Sequence, residues 1–556
     1  MPHKKNRLRV IPLGGLEEIG KNMTVIEFGD DMVVIDAGIM FPDDDHPGVD
    51  LILPDFSYIV KRQDKLRAII ITHGHEDHTG ALPYLLKALS KPVPVLGAKL
   101  TLGLIQGKLD EHKLKKTKLR EIHDGSHISL GPFGFDFFAV NHSIPDAMGV
   151  FIRTPMGNIV HTGDFKLDQT PIDGRMTDYA ALTKFGKVGV DLLMSDSTNA
   201  ETPGMTRSEA SVGPALREII EHAQQRVIAA SFSSHIHRVQ QVCDAAVAAG
   251  RKVVVTGRSM ITNTKIARDL GYLRIDDENI VDAYDAHGLA PEKVVVMCTG
   301  SQGEPLSALA RMANGDHKTV SVERGDTVVI AATPVPGNEK AVSRVVNRLA
   351  KAGAKVIHKG NAHVHVSGHA AAEELKLMLN LVQPTYFMPI HGETRHLAAH
   401  AGLAEEVGMY PEDVFILENG ACLEIDESGA RVGQPVEHGV VYVDGLGVGD
   451  VGNVVLRDRQ LLAQDGIATV VIAIDAQTGK PMGEAELITR GVVFGPEGDA
   501  LLKEARERVA KTLAKTFKEG ATDQAVVKNA VRESLSQLLW ERTRRRPMII
   551  PVVMEV

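Results

Sequence analysis

The stretch AIIITHGHEDHTG (68–80) places three histidines and two acids within six positions, directly after an aliphatic run. His73 and His75 stand two apart, so an extended loop can converge both on one ion; Asp77 and His78 follow on the turn into a helix and suit a second. Imidazole suits first-row divalent metals such as Zn²⁺ and Mn²⁺, and a carboxylate can bridge two ions. A two-metal centre needs further ligands. FFAVNHSIPDAMG offers His142, NIVHTGDFKLD offers Asp164 and YFMPIHGETRH offers His391, each at the end of an apolar run. Taken jointly with the cluster, they describe a hydrolytic centre that activates water. Glu76 is left without a role and is expected to face solvent or cap the helix at 79.

The elements that must hold these residues change style along the chain. MTVIEFG, DMVVIDAG, LRAIIITHG, FGFDFFAVNH, GVFIRT, NIVHTGD and DLLMSD read as strands with polar ends. TGALPYLLKALS reads as a helix starting at 79. From about 206 onward, helical patterns alternate with apolar strands, which implies a parallel α/β layer. The expected order is therefore a first domain over 1–205, an α/β unit inserted over 206–368, and a return to the first domain over 369–445. A Gly-rich linker, 446–464, leads to a small α+β domain over 465–556. Within that tail, RTRRRP (542–547) reads as a solvated strand entry, with contact to RNA or a subunit as the alternative.

Composition narrows the class. A chain of 556 residues, 44% apolar and 24% charged, is an ordinary multi-domain globular protein. No apolar run approaches the ~18 residues of a membrane span. The start, MPHKKNRLRVIPLGG, lacks the apolar core of a signal peptide, so a cytoplasmic location is expected. Cys243, Cys298 and Cys422 lie far apart, which excludes a thiolate zinc site and argues against a disulfide framework. With a net charge of −9, affinity for a polyanion must come from a local patch or from metal ions.

Two loops look built for anions. In HVHVSGHA (363–370), Gly368 permits close backbone approach, and Ser367 with nearby N–H groups can cradle a phosphate. In SFSSHIHRVQQ (231–241), Ser233, Ser234 and His235 precede a helix; serine N-capping is the simpler alternative there. The turns TGSQGEP (299–305) and TPVPGNE (333–339) suit the rim of the same cleft.

VVIDAG, THGHEDHTG, NHSIPDA and HTGDFK, in this order, resemble the successive motifs of the metallo-β-lactamase superfamily in its nucleic-acid-processing branch. SDSTNA, HVSGHA and PIHGE resemble the extra motifs of its β-CASP subgroup, and within that subgroup the whole chain is most similar to bacterial ribonuclease J. The resemblance implies an αββα sandwich, an inserted parallel-sheet β-CASP domain and a small α+β C-terminal domain. It implies one metal held by His73, His75 and His142, another held by Asp77, His78 and His391, and Asp164 bridging the two. Asp36 would orient a ligand from behind, and Asp196 and His369 would take the subgroup's acidic and imidazole positions. The loop comprising His365, Val366, Ser367, Gly368 and His369 would grip RNA phosphate, including a terminal 5′-monophosphate. A third, hard cation such as Ca²⁺ would sit at Gly48, Asp50 and Asp444.

The implied activity is 5′→3′ exonucleolytic and endonucleolytic cleavage of RNA by two Zn²⁺ or Mn²⁺ ions, in mRNA turnover and rRNA maturation. Partners would be a second or further copies of the chain, as a homodimer or homotetramer, and an RNA-degrading complex; no membrane is involved. His369, oriented by Asp196, is the candidate proton donor to the leaving sugar oxygen, and phosphate binding is its alternative role. A DNA nuclease of the same subgroup is the main rival, and His391 counts against it because DNA-specific members commonly lack this histidine. A small-molecule hydrolase is disfavoured by the inserted domain, and a non-catalytic RNA-binding subunit by the complete ligand set.

Overall fold

The computed structural model describes residues 7–304, 306–335, 337–475, 482–493, 495–518 and 523–556. Pro305 and Pro336, in the two expected rim turns, lie outside the described residues. Residues 7–41 with 51–441 form one compact unit, and 42–50 with 442–556 form another.

Two mixed sheets stack in the first unit. The eight-stranded sheet runs Gly429–Val432, Leu423–Asp426, Leu8–Gly14, Met23–Phe28, Asp31–Ile35, Leu66–Ile70, Val95–Gly97, Leu119–Glu121. The six-stranded sheet runs Tyr386–Ile390, Leu192–Asp196, Gly157–His161, Met148–Thr154, Phe133–Ala139, His127–Leu130. Phe133, Phe135 and Phe137 of one sheet meet Ile26, Val33, Ile35 and Ile70 of the other in a shared core. Each fully buried side chain of this kind contributes about 1.5–3 kcal/mol. Helix Lys99–Glu111 packs on the outer face of the first sheet. Helices Tyr179–Val188, Ala372–Val382 and Thr394–Glu406 cover the second, completing an αββα sandwich.

Strand direction matters most for the site. Asp31–Ile35 runs parallel to Leu66–Ile70. Gly157–His161 runs parallel to Leu192–Asp196, and that strand to Tyr386–Ile390. Parallel neighbours deliver their C-terminal ends to the same edge of a sheet. The residues that follow these strands therefore emerge together.

The insertion is a six-stranded, wholly parallel sheet: Ile280–Val281, Lys252–Thr256, Val294–Cys298, Val227–Ala230, Thr327–Ile330, Lys355–His358. Apolar clusters cover both its faces, which is why its strands read as continuous Val and Ile runs. A buried ion pair ties its own segments together. Arg238 donates to both Glu209 oxygens at 2.7 and 2.8 Å and to the carbonyls of Ala331 and Val364 at 2.9 and 2.7 Å. Glu209→Gln leaves this guanidinium buried without its counter-charge, and an expected loss of about 3–5 kcal/mol is read from the denaturation midpoint. Burial opposes ionising Glu209, but His235 and Arg238 outweigh it and hold the carboxyl well below its ordinary 4.5. Its contribution is therefore full above pH 4.5 and is lost as the pH falls toward the depressed folded value.

Several elements differ from the sequence expectation. The helix expected at 79 is a turn at Glu76–Thr79 followed by Leu82–Ala88. It begins on the His/Asp cluster itself, and Glu76 is exposed and ion-paired with Lys108 at 2.7 Å. Helix Thr394–Glu406 was not expected, because its buried face includes His396 and His400 in place of a clean apolar stripe. In the second unit, Asn453–Asp465 is a helix where a linker was expected; Leu456 is its one fully buried residue, so no periodic pattern marks it. That unit's sheet, Glu486–Arg490, Ile467–Ile474, Met548–Glu555, is covered by Pro496–Lys518 and Gln524–Thr543. In the basic run, Arg542 pairs with Glu504. Arg544 and Arg546 lie over the Trp540 ring at 5.5 and 4.6 Å.

Candidate metal centre

The strand ends bring together all seven ligand candidates for the two-metal centre. Nitrogen atoms of His73, His75 and His142 form one group, and Asp77, His78, Asp164 and His391 a second, with ligand atoms in each group within 4.8 Å of one another. His75 Nδ1 lies 3.1 Å from His73 Nε2 and 3.1 Å from His142 Nε2. Ligand atoms around a tetrahedral ion with N at 2.0–2.1 Å are about 3.3 Å apart. The three imidazoles thus present a face that fits such an ion. Asp164 Oδ2 stands 3.2 Å from His78 Nε2, 3.7 Å from His73 Nε2 and 3.7 Å from His142 Nε2, so this carboxylate reaches both groups.

The surrounding hydrogen bonds fix which ring nitrogens face inward. A carbonyl or carboxylate can only accept, so its imidazole partner atom carries the proton. His142 Nδ1 donates to the Gly368 carbonyl at 2.8 Å, leaving Nε2 free. His78 Nδ1 donates to Asp36 at 2.7 Å, and His391 Nδ1 to Asp164 at 2.8 Å. His391 Nε2 is then buried with no hydrogen-bond partner, 3.4 Å from Asp77 Oδ2, a position that a metal ion in place of a proton would satisfy. Burial pushes His75 down to about 4, so its ring is neutral at pH 7, as a metal-binding imidazole must be. Burial also works against charging His391, but Asp164, Asp77 and Asp196 prevail and hold it up to about 10. Such a crowd of carboxylates around a buried imidazole is a cation-seeking environment. The donor set of histidine nitrogen and carboxylate oxygen fits Zn²⁺ and Mn²⁺.

Asp36 sits behind the ligands in the left-handed backbone region, φ 61°, as does His391, φ 52°. Non-glycine residues held there carry strain of about 1–3 kcal/mol, and such positions concentrate at functional sites. Asp36 accepts from the Thr72 amide at 2.8 Å and the Thr72 hydroxyl at 2.8 Å as well as from His78. The Thr72 hydroxyl lies 3.1 Å from His73 Nδ1. One carboxylate therefore orients histidines of both groups. Asp36→Ala is expected to weaken metal retention or activity by about 10–100-fold, checked by metal titration of the purified variant.

On the open side, His369 Nδ1 donates to Asp196 Oδ2 at 2.7 Å, which leaves Nε2 unprotonated by that bond and directed away from the carboxylate. His369 keeps 20% exposure and Asp77 30%, whereas Asp164 keeps 3%. The site is accessible from the side these two residues occupy. Gly368 can approach His142 only without a side chain: a Cβ would lie 2.8 Å from His142 Cε1 and 2.9 Å from Ser143 Oγ. His365 Nδ1 in the same loop is buried without a partner.

The other expected sites look different. His235, not a serine, caps helix Ile236–Ala248, and its Nε2 lies 3.6 Å from Glu209. It thus faces a carboxylate, while Ser233 and Ser234 remain partly accessible, with Ser233 Oγ 3.1 Å from Asn263 Nδ2. At Gly48, Asp50 and Asp444, a guanidinium is already present. Arg459 pairs with Asp444 at 2.5 Å, donates to the Pro47 carbonyl at 3.1 Å and lies 2.8 Å from where a Gly48 Cβ would be. Asp50 accepts from the Gly445 amide at 2.7 Å.

Sequence reading missed several contributors. Asn22 Nδ2 sits 3.2 Å from the Asp77 carbonyl and 3.1 Å from His78 Nε2. Buried Glu374 accepts from the amides of Leu167, Thr206 and Ala371 at 2.7, 2.6 and 2.9 Å, joining three segments beside the His369 loop. Only Thr72, adjacent to the cluster, carried a local signal.

An αββα sandwich with paired His/Asp groups at one edge and an inserted parallel domain defines a metal-dependent hydrolase of the metallo-β-lactamase class. Family models agree: "Beta-lactamase superfamily domain" over residues 33–228, "Ribonuclease J, beta-CASP domain" over 224–349, "Zn-dependent metallo-hydrolase RNA specificity domain" over 353–417 and "Ribonuclease J C-terminal domain" over 454–556. The chain is 46% identical over 556 residues to ribonuclease J2 of Bacillus subtilis, covering 100% of both chains. It is 44% identical to ribonuclease J of Mycolicibacterium smegmatis, covering 99% of this chain and 97% of that one. It is also 44% identical to the Thermus thermophilus ribonuclease J, covering 99% and 96%. A crystal structure of a protein of unknown function from Enterococcus faecalis V583 shares the fold, with a TM-score of 0.53 and 16% identity, covering 75% of this chain and 100% of that one. The chain belongs to the ribonuclease J family.

Proposed function

We propose that this protein hydrolyses RNA phosphodiesters with two divalent ions, Zn²⁺ or Mn²⁺. His73, His75 and His142 hold one ion, Asp77, His78 and His391 the other, and Asp164 bridges them. The convergence of these seven side chains on one accessible edge carries the reading. Bound ions supply an activated water for attack on phosphorus and positive charge for the phosphate oxygens. The protein's own residues do the rest. Asp36 and Thr72 orient the imidazoles, the loop of His365, Val366, Ser367, Gly368 and His369 receives phosphate, and Ser233 and Ser234 extend that surface. His369, aligned by Asp196, delivers a proton to the departing sugar oxygen.

Within this reading the enzyme acts 5′→3′ from 5′-monophosphate ends and also cuts internally, serving mRNA turnover and rRNA maturation in the cytoplasm. It works as a homodimer or homotetramer, alone or within an RNA-degrading complex. Among the described residues no helix is long and apolar enough to cross a membrane. A calcium ion at Gly48, Asp50 and Asp444 would have to displace Arg459, so the two catalytic ions are the whole complement proposed. The test offers the purified chain, loaded with Mn²⁺ or Zn²⁺, a 5′-monophosphorylated RNA and the matching DNA. Stepwise shortening of the RNA from its 5′ end supports the reading, and intact RNA beside cleaved DNA refutes it.

A further inference from the structure

The loop that carries His369 has its carbonyls tied down one after another. Arg238 Nη1 donates to the Val364 carbonyl at 2.7 Å. Lys166 Nζ donates to the Ser367 carbonyl at 3.3 Å, and His142 Nδ1 to that of Gly368 at 2.8 Å. The His369 carbonyl accepts from the Thr206 hydroxyl at 2.7 Å and from Asn199 Nδ2 at 3.3 Å. The amides behave oppositely. Among the described residues, the N–H groups of His365, Val366, Ser367 and Gly368 have no acceptor, while that of His369 turns to Ser367 Oγ at 3.1 Å.

Two of the tethering groups are full cations out of contact with water. Lys166 is 1% exposed and Arg238 0%. Arg238 is neutralised by Glu209. Lys166 lies 3.5 Å from Asp168 and also donates to the Arg207 carbonyl at 3.2 Å. Asp168 in turn accepts from the Glu209 amide at 3.0 Å, so the two cations share one buried network. Burying a lysine is costly unless its donors are used. Here one goes to the Ser367 carbonyl within the phosphate loop and another to the Arg207 carbonyl of a separate segment.

We propose that Lys166 is a positioning residue for phosphate recognition: it holds the Ser367 carbonyl inward, so that the unpartnered N–H groups of 365–368 are presented to an RNA phosphate. The proposal rests on the ribonuclease reading above and names a determinant of its substrate binding. Lys166 does not touch the reacting atoms. His369 has further anchors that Lys166 does not touch, Asp196 at its ring and Thr206 and Asn199 at its carbonyl. Losing Lys166 therefore affects binding before chemistry.

The experiment compares the full-length, metal-loaded wild type with Lys166→Met and Lys166→Gln on a 5′-monophosphorylated RNA. The Met variant keeps the volume without a donor, and the Gln variant keeps a neutral donor. In Lys166→Met, KM is expected to rise about tenfold, as for one lost charge-assisted hydrogen bond, with kcat changed less than about twofold. Lys166→Gln falls between the two. A fall in kcat at constant KM, a joint loss of both, or wild-type behaviour in both variants overturns the proposal. So does failure of both variants to fold, which would make Lys166 a purely structural residue. A wild-type chain that leaves RNA intact counts against the ribonuclease reading instead.

Discussion

Asp164→Ala is expected to lower RNA cleavage by about 10³-fold or more and to reduce the metal retained after dialysis. The side chain is 3% exposed and lies between the two ligand groups. One oxygen faces His78, His73 and His142, and the other accepts from His391 Nδ1 at 2.8 Å. Its removal takes away a side chain that reaches both ligand groups and the nearest counter-charge of His73, His142 and His391. A bound divalent ion supplies several kcal/mol of transition-state stabilisation, and each 1.36 kcal/mol is a factor of ten in rate. Metal content is read by elemental analysis, and cleavage by single-turnover assay at saturating enzyme. A variant with full metal content and activity within about tenfold of wild type would show that the two groups do not share a bridging ligand. Asp164→Asn separates charge from shape. It keeps the volume and one carbonyl oxygen, so it should retain more metal than Asp164→Ala while remaining severely slowed.

How much of this centre the sequence discloses depends on how local each contribution is. His73, His75, Asp77 and His78 are legible because one strand end carries them all. His142, Asp164 and His391 are legible because each closes an apolar run. Direct reading of the residues goes no further. Asp36, Asp196 and His369 entered through family resemblance, because single polar residues after strands have many ordinary explanations. Glu374 and Asn22 escaped altogether. Glu374 looks like any acid in the first turn of a helix, yet its three amide partners come from three segments. Asn22 lies 55 residues from the carbonyl it donates to. The same contrast holds for the fold. Doubly buried Val and Ile strands of the insertion announce themselves, whereas Thr394–Glu406 buries histidines and Asn453–Asp465 buries little. At Gly48, Asp50 and Asp444, family resemblance implied oxygen ligands for a cation. What it could not indicate is that Arg459, fifteen positions beyond Asp444, brings a cation of its own.

His369→Ala is expected to slow cleavage of ordinary RNA by about 10²–10⁴-fold, the range of a general acid. Metal content at the two proposed ion positions should be unchanged, because the His73, His75, His142 group and the Asp77, His78, Asp164, His391 group do not include it; a loss of metal would point instead to the grouping of Asp164, Asp196, His369 and His391. The geometry favours proton delivery over simple phosphate binding. Asp196 fixes the ring through Nδ1 at 2.7 Å, and the remaining nitrogen stays on the accessible side of the centre. A carboxylate behind an imidazole also stabilises its protonated form, which a donor to a sugar oxygen must adopt. Leaving-group dependence distinguishes the roles. On an ester whose leaving group departs as a stable phenolate, no proton is needed, so the variant should recover to within about tenfold of wild type. A phosphate-binding histidine would instead cost the same on both substrates and would raise KM on both. Asp196→Asn completes the cycle. It keeps the hydrogen bond but removes the charge that supports the imidazolium, so the loss on RNA should be smaller than for His369→Ala and should also vanish on the activated ester. If the two substitutions together cost no more than His369→Ala alone, Asp196 acts through His369; additive losses would give Asp196 a separate role.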